Sequence, residues 1–104
     1  MATPPIRDDD ARRAALAKAT DARRARAELK NELKQRLITL AEVLDRADGD
    51  ERVAKTKVLT VLEALPGVGK VKARRTMTAI GIAENRRIGG LGRVQRAKLL
   101  EAFD

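Results

Sequence analysis

The chain has 104 residues, a length that suits one domain, and its 23 Lys and Arg against 15 Asp and Glu leave a net charge of +8. That imbalance selects a polyanionic partner, nucleic acid ahead of an acidic membrane surface. No Cys, His, Tyr, Trp or Ser occurs, which excludes disulfides, thiolate metal sites, the usual general base and most nucleophiles. Thr, Lys and carboxylates alone remain, so the expectation is a binding protein and not an enzyme, with no metal and no cofactor. The one aromatic, Phe103, sits at the C-terminal edge, so stacking of single-stranded bases has no platform and a duplex held by its phosphates fits better. No apolar run approaches the ~20 residues of a membrane span. The opening "MATPPIRDDD" is acidic and lacks an apolar stretch. A cytoplasmic protein with no membrane partner is expected.

Charge divides the chain into blocks. Residues 1–10 carry one basic and three acidic side chains, 11–40 nine and three, 41–64 four and six, 65–104 nine and three. Two basic blocks are thus separated by an acidic one, which predicts two positive surfaces on one small molecule.

Residues 1–8 are expected to form a disordered tail. From Asp9 to about Arg36 the chain consists almost wholly of strong helix formers, which predicts one long basic N-terminal helix within a segment spanning 9–38. Three aspartates at its start complement the helix dipole. Its leucines, Leu16, Leu29, Leu33 and Leu37, make a thin stripe, enough to lean on a neighbour and too little for a core element. At about 100° per residue, Arg12, Arg23, Arg26, Lys30 and Lys34 fall within a sector of roughly 80°. Asp21, Glu28 and Glu32 fall opposite. Like-charged pairs at i,i+4 cost a helix stability, which favours a second DNA-contacting surface over a merely solvated face.

Residues 39–104 are the expected compact part. Thr39 with Glu42 three residues on forms a capping box and starts a short helix ending near Ala47. A third helix is predicted from Asp50 to Leu65, carrying Val53, Val58, Val61, Leu62 and Leu65, and stopped by Pro66 and Gly67. A fourth runs from about Lys70 to Ile80 with Val71, Met77 and Ile80 inward and Gly81 as C-cap. "IAENRRIGGLG" is a turn region anchored by Ile82, Ile88 and Leu91, and a last helix covers about Arg93 to Ala102 with Val94, Leu99 and Phe103 inward. No segment alternates as a strand does. The fold class is all-α: a long N-terminal helix packed on a small helical domain.

Within it, "ALPGVGKV" admits three readings. As a nucleotide-binding loop it fails, because Val71 stands where a hydroxyl must hold magnesium and no strand precedes it. As a structural turn, Gly67 supplies a positive φ and Gly69 close helix packing. As a hairpin facing nucleic acid, it lets the backbone approach a phosphate at the start of the next helix, with Lys70 and Lys72 adding charge. The last two are compatible.

The stretch "LPGVGKVKARRTMTAIGIAENRRIGGLGRVQRAKL" resembles a helix-two-turns-helix module, about residues 58–104, as in a small-subunit ribosomal protein and in DNA-repair glycosylases. With the Arg/Ala-rich first helix and "KTKV" at 55–58, nearly the whole chain is similar to the actinobacterial, or mycobacterial-type, integration host factor family. That resemblance implies a nucleoid-associated architectural protein that binds double-stranded DNA with little sequence specificity. Bending or compaction of DNA and help to phage integrase complexes through DNA go with it, and a monomer in solution is expected. Carried over by residue, the DNA-facing positions are Gly67, Val68, Gly69 and Lys70 in the first turn, and Arg86 and Arg87 in the second. Gly89 departs from the family, which tends to place a basic residue there; Arg93 is the candidate substitute. An RNA-binding or ribosome-associated protein using the same module is the alternative. A glycosylase fragment fits poorly, since Ala2 and not a proline would follow the initiating Met.

Overall fold

The computed structural model describes residues 6–103. They form helices α1 (Ile6–Lys34), α2 (Leu40–Ala47), α3 (Glu51–Ala54), α4 (Val58–Ala64), α5 (Lys70–Ile80) and α6 (Arg93–Phe103), with a 3₁₀ turn at Ile88–Gly90 before α6. No strand occurs among the described residues; Lys57 and Arg87 form one isolated antiparallel bridge.

Helix α1 begins at Ile6, ahead of the expected Asp9, so residues 6–8 belong to the helix and not to a tail. Asp9 and Asp10 then lie within its opening turns, where the dipole favours them. The rest of the expected tail, residues 1–5, lies outside the described residues. The far end closes without glycine or proline. The amide of Leu37 donates to Glu32 O (2.9 Å) and that of Arg36 to Leu33 O (3.1 Å), a Schellman motif in which Arg36 takes the left-handed conformation at φ 61°. Two residues later Thr39 opens α2 with the expected capping box. The Glu42 amide donates to Thr39 Oγ1, and the Thr39 amide donates to Glu42 Oε1, each at 3.2 Å.

The single third helix expected over 50–65 is two helices. Asp50 caps α3, accepting from the Arg52 amide at 2.9 Å. Residues 55–57 then leave the helix because their backbone pairs elsewhere. The Val58 amide donates to Arg86 O (3.0 Å) and the Ile88 amide to Thr56 O (2.9 Å). Thr56, the buried polar residue of the core, keeps its hydroxyl satisfied on Arg52 O at 3.0 Å. The second turn of the module is thereby stitched to the α3–α4 joint.

Helices α2 to α6 and the lower end of α1 surround one core, which includes Val43, Val58, Val61, Leu62, Met77, Ile88 and Leu99. From α1 only Leu29 and Leu33 enter it, leaning on α3 and α4. Leu16 and Leu37, expected on the same stripe, are 64% and 65% exposed. Leu16 lies beyond the compact part, and Leu37 follows the helix end. Val71 and Val94, expected inward, are also outward, at 66% and 64%. On α5 the buried face is set by Ala73 and Met77, four residues apart, with Val71 off that row. Because α1 projects past the core, the molecule measures 62 × 27 × 26 Å.

Candidate nucleic-acid interface

The first turn joins α4 to α5. Leu65 ends α4 in extended conformation, and Gly67 takes φ +76°, a conformation that favours glycine. The Val68 amide donates back to Leu65 O at 3.1 Å, and its side chain packs half-buried against the core. Gly69 is the N-cap of α5, at φ −94° and ψ 178°, with no side-chain cap. The expectation that Gly69 allows close helix packing is not met: a Cβ there would meet nothing within 4 Å. The space beside it is open, and the first amides of α5 have no intrahelical acceptor. Lys70 and Lys72 stand exposed on the same turn. Glycines, helix-start amides and cations are thus brought together.

The second turn is built differently. Arg86 donates from Nη1 to Gly90 O at 3.1 Å, and Arg87 from Nη1 to Lys55 O at 2.6 Å. Both guanidiniums fasten the loop while remaining exposed, and each has other N–H groups to offer. Gly89 has a packing reason: a Cβ there would lie 2.9 Å from Ala54 Cβ and 3.2 Å from Ala54 O. A larger residue would push the turn off α3. Arg93 is exposed at the start of α6. Arg74 and Glu84, 2.7 Å apart, clamp the segment between α5 and this turn.

Gln95, which the charge pattern does not single out, also shapes this region. Its Oε1 accepts from the Gly92 amide at 3.1 Å, and its Nε2 donates to Gly81 O at 3.4 Å, tying the end of α5 to the start of α6. The signal was present: Gln three residues after a helix-opening glycine is half a capping box.

On α1, Arg12, Arg23, Arg26, Lys30 and Lys34 are all exposed, and none forms an ion pair among the described residues. Of the acidic residues opposite, two reach the domain and Glu28 stays exposed. Asp21 pairs with Arg52 at 3.2 Å and Glu32 with Arg46 at 3.5 Å. The segregation of charge therefore has a cause on its acidic side: those carboxylates meet arginines of α2 and α3. The basic row has no such internal partner. No helix among the described residues is long and apolar enough to cross a membrane.

Residues 33–103 match the S13-like H2TH domain family, which makes the compact part a helix-two-turns-helix domain. Over its full length the chain is similar to curated relatives named integration host factor. Identity is 55% with the protein of Mycolicibacterium smegmatis, covering 100% of this chain and 98% of the relative. It is 54% with that of Mycobacterium tuberculosis, covering 99% and 97%. It is 48% with that of Streptomyces coelicolor, covering 99% and 95%. The fold is similar to that of sIHF solved bound to an 8-bp palindromic DNA, with a TM-score of 0.82 and 46% identity over 85% of this chain and 99% of that one. The chain belongs to this integration host factor family.

Proposed function

We propose that this chain is a nucleoid-associated architectural protein that binds duplex DNA through its phosphates, with little sequence preference, and that it acts by binding and not by catalysis. The observation that carries the reading is Gly69. Its φ is ordinary and the space beside it is open, so nothing in the fold requires glycine, yet the bare backbone and free amides are what an approaching phosphate needs. Lys70, Lys72, Arg86, Arg87 and Arg93 supply the surrounding charge, and the solved relative bound to DNA supports the partner class. The row Arg12, Arg23, Arg26, Lys30 and Lys34 is a second surface, through which one duplex is bent or two are held together. On this reading the protein works as a monomer, and phage integrase complexes gain from it through the DNA it shapes.

Anisotropy titrations against unrelated duplexes at several salt concentrations test this. With about five to seven phosphates neutralised, log K should fall against log salt with a slope of about −4 to −6. A slope near zero, or tighter binding to structured RNA than to duplex DNA, would sink the reading.

A further inference from the structure

Between α1 and α3 lies an open cleft of about 490 Å³. It exists because α1 presents Ala19 and Ala22 to it, whose single methyl groups leave the space to α3 unfilled. Five of the ten residues around it are basic and two are acidic. Both acids are already engaged, Asp21 by Arg52 at 3.2 Å and Glu51 by Lys55 at 2.8 Å. Three cations are left over. Lys18 and Arg26 form no ion pair among the described residues, and Arg87 commits one nitrogen to Lys55 O. The volume falls within the range of small-ligand sites, about 300–1,000 Å³. No aromatic residue lines the cleft, so a base has nothing to stack on.

We infer that this cleft is a binding site for a small linear oligophosphate, in the cell a nucleoside polyphosphate, held by Lys18, Arg26 and Arg87 through its phosphate chain and not through its base. A compact phosphate chain packs its charges within a few ångströms and matches three cations around one hollow. A duplex backbone instead spreads its phosphates along the strand. Occupancy has a consequence that rests on the DNA-binding reading above. Arg26 belongs to the basic row of α1 and Arg87 to the second turn, so the ligand withdraws one cation from each and places negative charge between them. The ligand and DNA then compete.

The test is calorimetric titration of the full chain with inorganic tripolyphosphate, ATP, GTP and AMP near physiological ionic strength, about 0.15 M. One saturable site is expected. The first three probes should bind within roughly threefold of one another, and AMP at least ~tenfold more weakly. Ala22→Leu fills the hollow with a good helix former and leaves the charge unchanged. It should weaken tripolyphosphate binding by at least ~tenfold. If circular dichroism shows that variant unfolded, Lys18→Gln at an exposed position carries the test, with a loss of roughly threefold or more expected. Gly69→Asp, in the first turn, should leave tripolyphosphate binding within about twofold. Tripolyphosphate binding that survives both cleft variants, or that fits only many weak sites, would overturn the inference as diffuse attraction to a basic surface. The DNA-binding reading would be untouched by that result. Conversely, a chain that binds tripolyphosphate in the cleft but ignores duplex DNA would retain this site and lose the competition.

Discussion

The two turns of the domain carry one five-residue unit twice, Gly67-Val68-Gly69-Lys70-Val71 and Gly90-Leu91-Gly92-Arg93-Val94. Each opens a helix. In each the middle apolar residue turns to the core, the basic residue begins the helix, and the valine after it stays outside. The difference lies two positions beyond the basic residue. Gln95 reaches back and takes the Gly92 amide, whereas Lys72, at the equivalent place, has no acceptor to offer and adds a positive charge. In the second turn the N-cap amide is taken from within the molecule, and in the first no side chain takes it.

The largest effect should come from closing the open turn. Gly69→Asp suits the observed N-cap backbone and caps α5, so folding should hold or improve by a few tenths of a kcal/mol. On the proposed reading the added carboxylate stands in the phosphate's way and should lower duplex affinity by roughly thirtyfold, about 2 kcal/mol. The same change at Gly92, whose amide is already taken, should cost no more than about threefold. Equal losses at both turns in a binding titration would erase the distinction.

Removing the row on α1 should act next, and on a different observable. With Arg23, Arg26, Lys30 and Lys34 changed together to Gln, helix content stays and a short duplex still binds, several-fold more weakly. Compaction of long DNA, read by single-molecule extension, should largely disappear. Compaction equal to the parent's would make the row a solvated face.

Exchanging these two side chains is the finer test. Lys72→Gln should reduce the salt slope by about one, since one cation is lost. Gln95→Lys should lower stability by about 1 kcal/mol, because the Gly92 amide and the Gly81 carbonyl both lose a partner. It should also tighten DNA binding. Thermal melts and titrations on the two variants separate these outcomes, and a Gln95→Lys variant that melts with the parent would show that the internal cap contributes nothing. The smallest change, away from both turns, is Arg36→Gly. It relieves a left-handed arginine and should raise stability by about 0.5–1 kcal/mol with DNA affinity unaltered.

What could be read along the chain was whatever depends on near neighbours. The Thr39–Glu42 box, the limits of α5 with Gly81 left-handed at its end, and the burial of Ile82, Ile88 and Leu91 follow from residues a few positions apart. The break between α3 and α4 does not. It comes from pairing of residues 56–58 with 86–88, and no local signal in "KTKV" announces a partner thirty positions away. Val71 and Val94 misled for another reason. A helix of eleven residues carries too few apolar side chains for periodicity to choose its inner face, and Ala73 fills that role unremarked. For the candidate site, charge and glycine spacing single out the first turn along the chain. Gln95 and the stitching roles of Arg86 and Arg87 emerged only once the turns were folded against each other.

Leu29 is the first side chain of α1 to reach the core. Among the described residues, 9–28 are held helical by their own propensity, by the half-buried Ala22 and Ala25 and by the ion pair from Asp21 to Arg52, with no fully buried side chain to oppose fraying. Amide exchange should therefore grade along this one helix, fastest toward Asp9 and slowest at Leu33. On the proposed reading, phosphates that bind the basic row should tighten a helix that buries almost no apolar surface in doing so. Calorimetry of DNA binding should then show ordering without the heat-capacity drop that accompanies hydrophobic association. That places the arm closer to a charged spring than to a docked domain.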